Sequence, residues 1–198
     1  SGTVLVLTRS GTCTVAADQA GSDMYLPAPS VVNTIAISKR SQAITLSMPS
    51  ALQVGTSVRV NVSSSSRLPV TLTSSTPSTC VVTSATTVAA QSGGTCTLTA
   101  SQAGDDTFAA AADVVRSMTV LRRAQTISVS APSRVTVGAP SLPLAAASTS
   151  GLPVTWLSTT PSICTVTAGA ATFASRGACQ LTLTQAGDGS WEAATRSW

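Results

Sequence analysis

Gly94-Thr95-Cys96-Thr97-Leu98-Thr99-Ala100-Ser101-Gln102-Ala103-Gly104-Asp105 decides the fold, because the chain writes it three times. Upstream it reads Gly11-Thr12-Cys13-Thr14-Val15-Ala16-Ala17-Asp18-Gln19-Ala20-Gly21. Downstream it reads Gly177-Ala178-Cys179-Gln180-Leu181-Thr182-Leu183-Thr184-Gln185-Ala186-Gly187-Asp188. Cys13, Cys96 and Cys179 fall 83 residues apart (96 − 13 and 179 − 96), and recurrence at a fixed period is the signature of a repeat array. In each copy the cysteine starts an alternation. Cys96, Leu98 and Ala100 point one way, while Thr95, Thr97, Thr99 and Ser101 point the other. A period of two predicts a strand with one buried and one wet face. The same pattern puts Cys179, Leu181 and Leu183 inward in the third copy, and Cys13, Val15 and Ala17 inward in the first.

The Gln-Ala-Gly-Asp segment that follows is turn chemistry, since glycine accepts positive φ and aspartate caps its own turn. One aromatic comes after each turn, at Tyr25, Phe108 and Trp191. A single large ring per copy reads as a plug in the core.

Working outward, Gln42-Ala43-Ile44 recurs 83 residues later as Gln125-Thr126-Ile127. Val58, Val60 and Val62 match Leu142, Leu144 and Ala146, and Leu68-Pro69-Val70-Thr71 matches Leu152-Pro153-Val154-Thr155, both at 84. The single added residue falls between predicted strands, where loops absorb it at little cost. These matches divide the chain into residues 1–40, the C-terminal part of one unit; 41–123, a complete unit; and 124–198, a unit that ends within its last strand. Strands are predicted over Thr3 to Thr8, Gly11 to Ala17, Val31 to Ile37 and Val114 to Val120, with Met118 and Val120 facing the core. Arg196-Ser197-Trp198 aligns with Arg116-Ser117-Met118 after a three-residue deletion. No helical periodicity of useful length appears, so the fold class is all-β.

Charged residues make up 9% of the 198, against roughly 25% in ordinary soluble proteins. Ser and Thr cover what charge does not. No apolar run approaches the roughly 18 residues a spanning helix needs, so no membrane span is expected in this segment. The net charge of +4 is weak. Lys39, Arg40, Arg122 and Arg123 sit at the unit boundaries and read as solvated linker charges; without an aromatic stripe beside them they do not suggest a nucleic-acid surface.

The five cysteines pair by spacing: Cys80 with Cys96, and Cys164 with Cys179, one bridge per complete unit. Cys13 is left unpaired, its partner expected before residue 1. A disulfide closing a loop of about 15 residues contributes on the order of 3 kcal/mol, and it implies an oxidising compartment. Zinc asks for four ligands, whereas each unit offers two cysteines and the chain has no histidine.

Gln-Thr-Ile, Gly-Leu-Pro-Val-Thr, Thr-Pro-Ser-x-Cys, Gly-Thr-Cys-Thr-Leu-Thr-Ala-Ser-Gln-Ala-Gly-Asp and a final Arg-Ser-x-x-Val together resemble the bacterial immunoglobulin-like repeats of large secreted and surface proteins. The resemblance covers nearly all of the chain. It implies tandem Greek-key β-sandwiches of about seven strands, and a role as stalk or spacer in an adhesin-like protein, extracellular or at the cell surface. Two departures are visible: Arg67 stands where the later unit has Gly151, and Gly177-Ala178-Cys179 replaces Gly-Thr-Cys. Trp156 lies where immunoglobulin domains often place a core tryptophan, but its counterpart is Leu72, so a packing role is expected.

Acid–base catalysis needs a group titrating near neutrality or carboxylates held together. With no histidine, a sole lysine (Lys39) in a linker and scattered acids, the sequence points away from an enzyme and calls for no cofactor. Asp105 and Asp106 form the one acidic pair, a candidate for a weak calcium site or simply a turn cap. The expected partners are neighbouring repeats of the same protein, or other copies of the chain in a fibre built by strand complementation. A glycan- or receptor-binding module is the further alternative.

Overall fold

Thr-x-Thr alternation with apolar residues between makes strands, and the computed structural model, which describes residues 4–198, contains nineteen and no helix among them. In the N-terminal segment β1 (Gly11–Gln19) and β2 (Ala28–Ile37) form an antiparallel two-stranded ribbon. In residues 41–123 the strands are β3 (Ile44–Ser47), β4 (Ala51–Gln53), β5 (Ser57–Arg59), β6 (Asn61–Ser64), β7 (Thr71–Ser74), β8 (Cys80–Ser84), β9 (Thr87–Ala90), β10 (Gly94–Ser101) and β11 (Val114–Leu121). Residues 124–198 supply β12 (Ile127–Ser130), β13 (Leu142–Pro143), β14 (Ala145–Ser148), β15 (Thr155–Ser158), β16 (Cys164–Thr167), β17 (Ala170–Phe173), β18 (Leu181–Gln185) and β19 (Ala194–Ser197).

Residues 41–123 assemble as sheets β4-β11-β10-β7, β5-β9-β8 and β3-β6. Residues 124–198 repeat this as β15-β18-β19, β13-β17-β16 and β12-β14. The run Val58 to Val62 changes sheet midway. β5 pairs with β9, β6 pairs with β3, and the buried Val60 sits between them. Alternation on β10 buries Cys96, Leu98 and Ala100 and leaves the threonines between them half-covered. They join Ile44, Leu46, Leu72, Val88, Met118 and Val120 in one core drawn from all three sheets. In β18 Leu181 and Leu183 are buried likewise, with Cys179 half-buried just before the strand.

Each disulfide links two of these sheets. Cys80 on β8 is joined to Cys96 on β10, and Cys164 on β16 to Cys179 ahead of β18, with Cα–Cα distances of 5.6 Å in both. Cys13, on β1, is free and half-exposed.

Three readings of the sequence are corrected. The strand expected over Thr3 to Thr8 does not form across residues 4–8, and Thr3 lies outside the described residues. Its counterpart β9 is held by β8 on one side and β5 on the other, and among the described residues no strand plays those parts for residues 4–8. For the same reason Val15 and Ala17 face solvent rather than a core. The end of the chain also sits differently. Trp198 pairs with Leu181 (N to O, 2.8 and 2.9 Å), the counterpart of Leu98, which faces Arg116 and not Met118. Trp198 thus occupies the place of Arg116, two positions earlier along the strand than the motif alignment put it.

Candidate functional site: the arginine clasp between units

The turn after β10 is built from its own side chains. Asp105 Oδ1 accepts hydrogen bonds from the backbone N–H groups of Thr107 (2.8 Å) and Phe108 (2.7 Å). Asp188 Oδ1 does the same for Ser190 (2.7 Å) and Trp191 (2.8 Å). The Phe108 N–H, then that of Thr107, favours the ionised carboxylate and holds the Asp105 carboxyl below the usual aspartate value, with Lys39 adding a smaller Coulombic pull. Gly104 closes the loop at φ 78, where an added Cβ would lie 2.3 Å from the Phe108 carbonyl oxygen. Asp105 therefore serves as a turn cap, while the Asp106 carbonyl oxygen is engaged elsewhere, as described below. Among the described residues no three acidic, cysteine or histidine side chains gather as a metal-binding group.

A glutamine at the start of the unit fastens this turn, half-buried in residues 41–123 and buried in 124–198. Gln42 Nε2 donates to Gln102 Oε1 and to the Ala109 carbonyl (2.6 Å), Ser66 Oγ donates to Gln42 Oε1, and Gly104 N–H donates to Gln102 Oε1 (2.6 Å). Gln125, Gln185, Glu192, Ser150 and Gly187 repeat every one of these bonds. Gln125 and Gln185 are buried, and buried amides are stable only when satisfied. These residues carry no chemistry in sequence reasoning. Their signal was the recurrence itself, Gln42 and Gln125 as well as Gln102 and Gln185 lying 83 apart.

The rings are not core plugs, and two of the four boundary charges are not free linker charges. The main chain entering each unit runs parallel to the turn: Arg40 N–H donates to the Thr107 carbonyl (2.8 Å) and Ala109 N–H to that of Arg40 (2.9 Å). Arg123 takes the same position against Ser190 and Glu192. Each arginine then folds its guanidinium over the ring, Arg40 at 5.5 Å from the Phe108 centroid and Arg123 at 5.3 Å from that of Trp191. Both rings are half-buried. Tyr25, with no such strand against it among the described residues, is 75% exposed. A ring with an exposed face suits a planar cation better than a core.

The clasp also reaches backward. Arg123 Nε donates to the carbonyl of Val54 (3.2 Å), in residues 41–123, and its guanidinium, stacked on Trp191 of residues 124–198, lies against Gly55, where a Cβ would come within 2.3 Å of it. Alongside, Gly93 N–H and Ser92 Oγ donate to the Gly189 carbonyl at 2.7 and 3.2 Å. One unit earlier, Ser10 N–H and Oγ donate to the Asp106 carbonyl at 3.4 and 2.6 Å. Ser10 and Gly93 are 83 residues apart, and so are Asp106 and Gly189 (93 − 10 and 189 − 106). The same backbone positions meet at both junctions.

Trp156, on β15, is half-buried, where Leu72 on β7 is buried. No helix among the described residues is long and apolar enough to cross a membrane. Comparison with protein-family models and with curated proteins gives no match for this chain.

Proposed function

We propose that this chain is a non-catalytic structural array of immunoglobulin-like β-sandwiches, serving as the stalk or spacer of a bacterial secreted or surface protein of the adhesin type. The observation that carries the reading is the junction made twice, Ser10 to Asp106 and Gly93 to Gly189, through equivalent backbone atoms. A spacer must transmit position, so successive units have to meet in one orientation, each mainly in contact with its neighbours. The arginine clasp adds a side-chain lock to that contact at the second junction. The sandwich reading is supported by a core shared among facing sheets and by bridges that tie one sheet to another. Two disulfides belong to an oxidising, non-cytosolic environment, and extracellular placement follows from the spacer role. The side chains that chemistry would need are taken up in turns: Asp105 and Asp188 hold backbone N–H groups rather than facing a shared cleft.

Small-angle scattering from the whole chain tests this. A stalk segment gives a profile that one rigid conformer fits, with a maximum dimension unchanged by salt. A profile that requires an ensemble of widely differing angles between units would defeat the proposal.

A further inference from the structure

Residues 41–123 join the array through their first and last strands, so tension along the chain enters at residue 41 and leaves at residue 123. Near those two points β4 and β11 pair in parallel, Ala51↔Thr119, Leu52↔Val120 and Gln53↔Leu121, the only parallel ladder among the described residues. Two bonds extend it past the ends of β4. Thr119 N–H donates to the Ser50 carbonyl and Val54 N–H to the Leu121 carbonyl, both at 2.9 Å. Arg123, two residues beyond β11, adds a side-chain tie between the same segments, its Nε donating to the Val54 carbonyl at 3.2 Å. β4 lies at the edge of its sheet, so its hydrogen bonds to the sheet are those to β11. Ahead of it β3 runs antiparallel to β6, Ile44↔Ser64 to Ser47↔Asn61.

Because β4 and β11 run the same way, drawing residue 41 backward and residue 123 forward slides one strand along the other. Their hydrogen bonds pass from strand to strand, across the pull, and are strained together. Peeled from one end, the same bonds would break singly. The disulfide lies off this path, since Cys80 is on β8 and Cys96 on β10. We propose that residues 41–123 are a tension-bearing element, in which the sheared contact of β4 with β11, tied by Arg123 to Val54, is what resists extension of the chain. This goes beyond the spacer reading and does not rest on it: scattering judges whether units keep one orientation, and pulling judges which contact yields.

The test is single-molecule pulling of the whole chain from handles at its two ends, at one fixed rate. Residues 41–123 are recognised by length: with the bridge closed, 66 residues (123 − 41 − 16) extend by about 240 Å. Val54→Pro removes the N–H donor to Leu121 at close to the same side-chain size, and is expected to lower the unfolding force by at least about one-third. Arg123→Ala removes the tie to Val54 without touching the ladder, and is expected to lower it by about one-fifth; it also serves alone should Val54→Pro fail to fold. Cys80→Ser/Cys96→Ser is the contrasting variant. It is expected to lengthen the step by about 50 Å and to lower stability in urea, yet to change the force by less than about one-tenth. A bridge acts mainly on the unfolded chain, whereas forced unfolding reports the barrier out of the folded one. Wild-type force in Arg123→Ala or in a folded Val54→Pro, or a loss of force in the serine pair as large as theirs, overturns the proposal.

Discussion

Arg123→Ala is the perturbation that separates a rigid junction from beads on a string. The substitution removes the guanidinium stack on Trp191, 5.3 Å from the ring centroid, and the 3.2 Å hydrogen bond to the Val54 carbonyl. It leaves intact the backbone bonds of Arg123 to Ser190 and Glu192, and those of Gly93 and Ser92 to Gly189. A cation over a half-buried tryptophan contributes about 1 kcal/mol, and a hydrogen bond from a charged donor nets about another 1 kcal/mol once partial exposure is allowed for. The stack crosses from residues 41–123 to 124–198, and the hydrogen bond stays within 41–123. The loss should therefore total about 2 kcal/mol, of which about half, the stack, is coupling between units, about fivefold in the coupling equilibrium.

The assay is already in the sequence. Trp156, Trp191 and Trp198 all lie in residues 124–198 and none in 41–123, so tryptophan fluorescence follows one unit while the methyl signal of the buried Met118 follows the other. In urea, coupled units should unfold over overlapping midpoints in the wild type, and Arg123→Ala should lower the tryptophan midpoint and pull the two apart. Arg123→Lys keeps the charge without the planar fork, and should recover less than half of the loss. Arg40→Ala, which removes a stack on Phe108 at 5.5 Å, should cost about 1 kcal/mol in residues 41–123. If Arg123→Ala shifts neither midpoint, or if the lysine variant matches wild type, the clasp is not what holds the units.

Three further outcomes follow from the geometry. Cys80→Ser/Cys96→Ser opens a bridge of sequence separation 16 and should destabilise residues 41–123 by about 3 kcal/mol in urea, leaving most of the tryptophan transition in place. Arg67 holds φ 65 where Gly151 holds φ 76, and a left-handed non-glycine costs about 1 kcal/mol against glycine's extra chain entropy. Arg67→Gly should therefore be neutral to slightly stabilising by thermal denaturation, whereas Gly151→Ala should destabilise. Asp105 has a depressed carboxyl in the folded state; its contribution to the turn is complete above the ordinary aspartate value and disappears as pH falls through the lowered one. The Thr107 and Phe108 amide shifts, followed by NMR, should titrate below a short peptide of the same turn, and Asp105→Asn should abolish that titration.

What could be read from the letters was whatever a strand declares locally. Cys96, Leu98 and Ala100 announce a buried face by spacing alone, and sheet pairing in both units preserves it because a slip of one residue would turn that face outward. The failures share one cause, a property that belongs to a partner rather than to the segment. Val-Leu-Val-Leu in residues 4–8 has every local mark of a strand, yet a strand exists only where another edge accepts its hydrogen bonds. Phe108 and Trp191 looked like core because large rings usually are, and what places them at the half-buried junction is an arginine 68 residues earlier (108 − 40 and 191 − 123). That common separation was printed in the sequence all along. It could have been found by asking which charges, and not only which apolar residues, keep the period of 83. A repeat array conserves in register whatever its interfaces need, so a boundary charge that recurs in step with a ring is better evidence of a junction than its polarity is of exposure.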